Sequence, residues 1–103
     1  MKIDDLTKEV LKFRDQRGWK RYHNPRSILL SLVSEVGELA DHFRWKEGKD
    51  LENYIRKNKE EIEDELSDVI HNALLLAIEL KIDIPKSFLR KMEKNKKKYP
   101  PKK

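Results

Sequence analysis

Two acidic doublets, Glu35-Val36-Gly37-Glu38 and Glu65-Leu66-Ser67-Asp68, hold the residues best suited to chemistry in this chain. At a spacing of three, both carboxylates of a doublet leave a helix on the same side. Each doublet borders an apolar stripe, so its charges stand at the edge of a dry core. Carboxylates gathered there repel one another, and each is costly to strip of water. Hard oxygen donors in that number suit a hard divalent cation, and Mg2+ is commonly held by carboxylates together with substrate phosphates. The competing reading is a set of interhelical or intersubunit salt bridges with nearby Lys and Arg. Other acidic pairs, Glu60/Glu63 and Glu61/Asp64, lie in a densely charged stretch and read as solvated surface.

The remaining polar and aromatic residues add less. His23, His42 and His71 do not have zinc-ligand spacing. His42 follows Glu38 by four residues and either assists the acidic site or lies on the surface. Trp19, Tyr22 and Trp45 flank the helix that carries Glu35, where they either stack on a nucleobase or seal the ends of a bundle. Between Arg90 and Lys103 there are eight Lys or Arg and one acid. Such a run neutralises phosphates, binds nucleic acid nonspecifically, or is simply solvated. No Gly-rich phosphate loop, G-x-S-x-G turn or Cys/His nucleophile pattern is present.

Helices must position these groups, since helical spacing dominates the chain. Ile3, Leu6, Val10 and Phe13 mark a first helix that Gly18 ends, with a connecting loop from Trp19 to His23. Asn24-Pro25 is a strong start for a second. Its apolar arc is Ile28, Leu29, Leu32, Val33, Val36, Leu39, Ala40 and Phe43, with Glu35 at the edge. Residues 46–50, around Gly48, break the pattern, and Asp50 caps a short helix through Ile55. Asn58 with Glu61 resembles a capping box that opens the longest helix. The buried face expected there is Leu66, Val69, Ile70, Ala73, Leu74, Ala77 and Leu80, with Glu65 on its border. Asp83-Ile84-Pro85 starts a last helix bearing Phe88, Leu89 and Met92, and Tyr99-Pro100-Pro101 ends it.

The expected fold is therefore all-α, a four-helix-bundle-like arrangement of residues 1–100 with a disordered basic tail at 101–103. A chain of 103 residues buries only a modest core, so oligomerisation is expected. Charged residues are 42% of the chain and the net charge is +5, a composition also common in heat-stable proteins. Without cysteine, disulfides and thiolate metal sites are excluded. No apolar run has transmembrane or signal-peptide length, so no membrane partner and a cytoplasmic location are expected.

At this point the residues resemble a known family. Glu35-Val-Gly-Glu-Leu-Ala40, Phe43-Arg-Trp-Lys46 and Glu65-Leu-Ser-Asp-Val69 are similar to the all-α nucleoside triphosphate pyrophosphohydrolases, the MazG-like superfamily. The dCTP pyrophosphatase branch is nearer still. Its features recur in order: Trp19 and His23-x-Pro-Arg26, Leu29-Leu-x-Leu-Val33, the two doublets, Asp83-x-Pro85, and Lys91-Met-x-x-Asn95-x-x-x-Tyr-Pro100.

The resemblance implies a Mg2+-dependent hydrolase, with Mn2+ as the other metal, that converts a nucleoside triphosphate to the monophosphate and pyrophosphate. It implies Glu35, Glu38, Glu65 and Asp68 as metal ligands; the four are also the expected catalytic carboxylates, one of which, Glu38, would orient or deprotonate the attacking water. It places Trp19, His23 and Trp45 at the nucleoside, Lys91 and Asn95 at the phosphates, and Lys98 at a basic position. It also implies a homodimer or homotetramer whose sites draw on more than one protomer. Two residues depart from the branch, Val10 where it has His and Asn72 where it has Tyr near the nucleoside, which weakens the case for cytosine. The linker from Glu47 to Asn58 is shorter than in the animal enzymes. The rival readings are the same reaction on dUTP or modified nucleotides, and a non-enzymatic basic module that binds nucleic acid or a partner.

Overall fold

The computed structural model describes residues 1–102 and shows five α-helices and no strand among them. Helix α1 spans Ile3–Gln16, and a 3-10 turn follows at Trp19–Tyr22. Helix α2 spans Pro25–Asp41, α3 Gly48–Lys57, α4 Lys59–Glu79 and α5 Ile84–Lys98. The body is α2 lying along α4, with α1 and α3 also against α4.

The boundaries have local causes. Gly18 adopts φ +64°, a left-handed conformation that stops α1 at little steric cost. Asn24 Oδ1 accepts from the Ser27 amide at 2.9 Å, and Ser27 Oγ accepts from the Asn24 amide at 3.3 Å. With Pro25 in the first turn, α2 begins where the sequence predicts. Asp83 caps α5 in the same way, its Oδ1 accepting from the Lys86 amide at 3.1 Å. The end of α4 is less regular. Lys81 takes φ +56° while its amide donates to the Ile78 carbonyl at 3.1 Å and the Ile82 amide to that of Ala77 at 2.8 Å. This is the Schellman closure, built on a lysine where glycine is usual.

Four expectations need correction. Asn58 stands at the N-cap of α4, where the sequence places it, but its side chain makes no capping bond there: its Nδ2 donates to the Tyr54 carbonyl at 2.9 Å and closes α3 instead. Only that residue separates the two helices, so the preceding free carbonyl competes for the amide. Asp50 does not cap α3 either, but sits within its first turn, where a carboxylate meets the positive end of the helix dipole. The segment after Gly18 is wound into a 3-10 turn rather than left as an open loop. Phe43 lies beyond the end of α2.

Burial also departs from the helical stripes. Val10, Ile28, Leu74 and Leu75 form the core, with Leu6, Leu76 and Ile78 packed against it. Of the seven positions expected on the buried face of α4, Leu74 and Ala77 are buried, whereas Leu66, Ile70 and Leu80 are 48%, 43% and 47% exposed. Helix α1 covers only part of α4, and α5 has no extended packing against the other helices among the described residues. Phe88 and Leu89 on α5 are accordingly 62% and 66% exposed. The four-helix packing is thus only partly closed within one chain. The basic tail reaches Lys103, which lies outside the described residues; Pro101 and Lys102 have no regular structure.

Candidate active site

The packing of α2 on α4 brings the two acidic doublets together. Glu35, Glu38 and Glu65 each offer an oxygen, and these atoms all lie within 4.8 Å of one another. Glu35 and Glu65 are half-buried and Glu38 is exposed. Asp68 stands beside them, lining a cleft together with Glu35. Burial, then the charges of Glu38 and Asp68, push the Glu35 carboxyl above the ordinary carboxylate range. Burial also raises Glu65, followed by its hydrogen bond with Glu38 and the Glu38 and Asp68 charges, while His42 pulls the other way.

Among the described residues no ion pair offsets this repulsion. The ion pairs among the described residues are Arg14–Asp15, Arg44–Asp41 and Lys96–Glu93, and none includes the four acids. The salt-bridge reading of the doublets therefore fails within one chain. One oxygen each of Glu35 and Glu65, Oε2, is buried without a hydrogen-bond partner. Orphaned carboxylate oxygens, a donor set of oxygen only and unbalanced negative charge fit a hard divalent cation.

Glu35 and Asp68 open onto a cleft of about 590 Å3. Its aromatic wall is centred on Phe13, with the Trp19 ring 5.5 Å away at 75° and the His71 ring 5.6 Å away at 86°. Both are edge-to-face contacts. His23 and Asn72 line the same cleft, and His23 Nδ1 is buried without a partner. Asn72 Nδ2 donates to the Asp68 carbonyl at 2.9 Å, which fixes that side chain one turn from the acid. Val10 forms apolar wall there rather than a polar contact.

Other anticipated residues are not gathered in the single chain. Trp45 is 82% exposed and absent from the cleft lining, with the Arg44 guanidinium 5.1 Å from its ring centre. Lys91, Asn95 and Lys98 are carried by α5, no part of which lines the cleft. Two residues escaped the sequence reading. Tyr54 of α3 shares a 2.7 Å hydrogen bond with His42 Nδ1, and its ring lies under the Lys46 ammonium at 4.0 Å. Arg14 lines the cleft although it is buried. Its spacing of four from Val10 on the apolar side of α1 is the signal that marks it, a charge set on a core stripe.

Known proteins are similar to this chain. The MazG-like family profile matches residues 30–103. Human dCTP pyrophosphatase 1 is 35% identical over 100 residues, covering 95% of this chain and 59% of the relative. The bovine protein is 34% identical over the same shares. The chain thus spans about six-tenths of the length of these curated relatives. The crystal structure of a pyrophosphatase from Archaeoglobus fulgidus superposes with a TM-score of 0.87 at 37% identity, covering 96% of this chain and 93% of that one.

Proposed function

This chain belongs to the MazG-like family, and on that premise we propose that it is a Mg2+-dependent nucleoside triphosphate pyrophosphohydrolase, converting a (deoxy)nucleoside triphosphate and water to the monophosphate and pyrophosphate. The observation that carries the reading is the unpaired acidic cluster at the mouth of an aromatic-walled cleft. The names of its relatives, dCTP pyrophosphatase 1 and a pyrophosphatase, support it.

Glu35, Glu38, Glu65 and Asp68 would hold the metal, which when bound supplies charge neutralisation to phosphate oxygens. Glu38 is the exposed member of the trio, with an oxygen within 4.8 Å of one on Glu65. It therefore has the access needed to orient the attacking water and accept its proton. The burial of Glu35 and Glu65 keeps the cluster partly dry, which strengthens its electrostatic effect on the reacting phosphates. His42, held by Tyr54, steadies the ionised form of Glu65.

Trp19, His23 and Asn72 hold the nucleoside. Lys91, Asn95 and Lys98 bind phosphates, and Trp45 the nucleoside, in a homodimer or homotetramer. There a neighbouring copy covers the exposed apolar residues of α2, α4 and α5 and supplies the missing groups. The role that fits is cleansing of the cytoplasmic nucleotide pool.

The test is pyrophosphate release from a panel of canonical and modified nucleoside triphosphates, with and without Mg2+, by the natural protein, Glu38→Gln and Asp68→Asn. Near-normal Mg2+-dependent release by either variant refutes the site. Release of single phosphate moves the protein to another reaction class.

A further inference from the structure

Arg14 is the buried charged residue of the chain among those described, 6% exposed. Its stem is packed away from water, while its Nη groups are not among the buried atoms left without a partner and so reach the cleft. Its Nε donates to Asp15 Oδ1 at 3.0 Å, and that acceptor is 57% exposed. Neither Nη has a partner among the described residues. The side chain lines the same cleft as Glu35 and Asp68, yet pairs with neither acid. It stands next to Phe13 in the chain and shares the cleft wall with Trp19 and Asn72, away from any cluster of cations. A planar fork of donors left open in a pocket with aromatic walls is suited to the edge of a stacked base.

We propose that Arg14 determines base specificity, its free Nη groups donating to two adjacent acceptors on one edge of the nucleobase; this rests on the nucleotide-hydrolase reading above. Cytosine presents such a pair at N3 and O2, and guanine at O6 and N7. Uracil and thymine place an N–H between their carbonyls, and adenine sets an amino group beside both N1 and N7. Those bases meet the fork with a donor and leave part of it unpaired in a desolvated site. Cytosine or guanine nucleotides are therefore favoured, and the two are the sources the experiment separates.

The experiment measures binding of dCMP, dGMP, dUMP and dAMP to the full chain by calorimetry without metal, beside kcat/KM for the four triphosphates with Mg2+. The expected result is a preference for dCMP or dGMP over dUMP and dAMP on the order of 10- to 100-fold, mirrored in kcat/KM, with the better of the two naming the base. Arg14→Lys keeps the charge and most of the stem but lacks the fork, and it brings the preference towards unity. A thermal melt checks that this variant folds, and if it does not, the natural protein's preference alone decides. Equal binding of all four bases by the natural protein, or no binding of any, overturns the assignment. So does a folded Arg14→Lys that lowers all four alike, as loss of a phosphate contact or of packing would. The monophosphate measurement needs no turnover, so a base preference without pyrophosphate release sinks the hydrolase reading and leaves the role of Arg14 standing.

Discussion

Glu35→Gln removes one charge from the acidic cluster while keeping side-chain shape, and its effect on stability changes sign with metal. In the metal-free protein, one oxygen of Glu35 lies within 4.8 Å of one oxygen on each of two other carboxylates. At that separation one pair of unit charges repels by about 0.9 kcal/mol at the dielectric of water and about 3.5 kcal/mol at an effective dielectric of 20. The cluster opens to a cleft, so solvent screening favours the lower figure. Two neighbours then cost Glu35 roughly 2 kcal/mol when all are ionised, and less where a proton is shared. Glu35→Gln is expected to stabilise the metal-free protein by about 1–2 kcal/mol near neutral pH, an increase in Tm on the order of 5–10 °C for a domain of this size. With Mg2+ at a hundred times its Kd, the natural protein gains about 2.7 kcal/mol. The variant, lacking a ligand, gains much less, so the two melting curves exchange order. Differential scanning calorimetry in EDTA and in a Mg2+ titration reads both arms. A variant that melts lower in EDTA and responds to Mg2+ as the natural protein does would show that Glu35 is a structural residue.

Four further outcomes follow from the same geometry. Glu35 and Glu65 bind protons more tightly folded than unfolded, so above the ordinary carboxyl value of 4.5 the folded state holds more protons and stability falls as pH rises. In EDTA their contribution is complete below that pH and lost through the range above it; a Tm difference between natural protein and Glu35→Gln/Glu65→Gln that does not vary with pH contradicts this. Lys81→Gly relieves a left-handed lysine, worth about 1–2 kcal/mol, against about 0.5–1 kcal/mol of added chain entropy, and should stabilise by roughly 0.5–1 kcal/mol in urea unfolding. Asn24→Ala loses the cap of the helix that carries Glu35 and Glu38, at a cost of about 1 kcal/mol in the same assay. Leu89→Glu puts a charge on the exposed apolar side of α5 and should reduce the mass seen by light scattering, whereas an unchanged mass would leave that residue outside any interface.

Caps and turns were largely legible from residue types alone. Asn24-Pro25 and Asp83-Ile84-Pro85 start helices because each polar side chain reaches an amide three residues on, within one turn of its own chain. Gly18 stops α1 for an equally local reason. Asn58 misled because two helix ends compete for one amide group, and the competition is decided by the free carbonyl of Tyr54. Lys81 carried no signal, since lysine rarely adopts that conformation.

The acidic doublets could be paired from their position beside two apolar stripes, since packing those stripes forces their borders together. Which apolar residues are buried could not be read that way. Periodicity marks a face that avoids water without saying what covers it, and Leu66 and Ile70 remain exposed in one chain. Arg14 is marked in the sequence only as a charge on a core stripe; its place in the cleft and the His42–Tyr54 bond lay beyond reach, as both depend on how separate helices meet. The amino-acid order by itself therefore determined the helices, the starts of α2 and α5 and the meeting of the two acidic doublets, because each follows from contacts within a turn or from one amphipathic rule. Only the tertiary structure decided the cleft, the unused guanidinium and the uncovered apolar side, because these are set by the angles and distances between helices far apart in the chain.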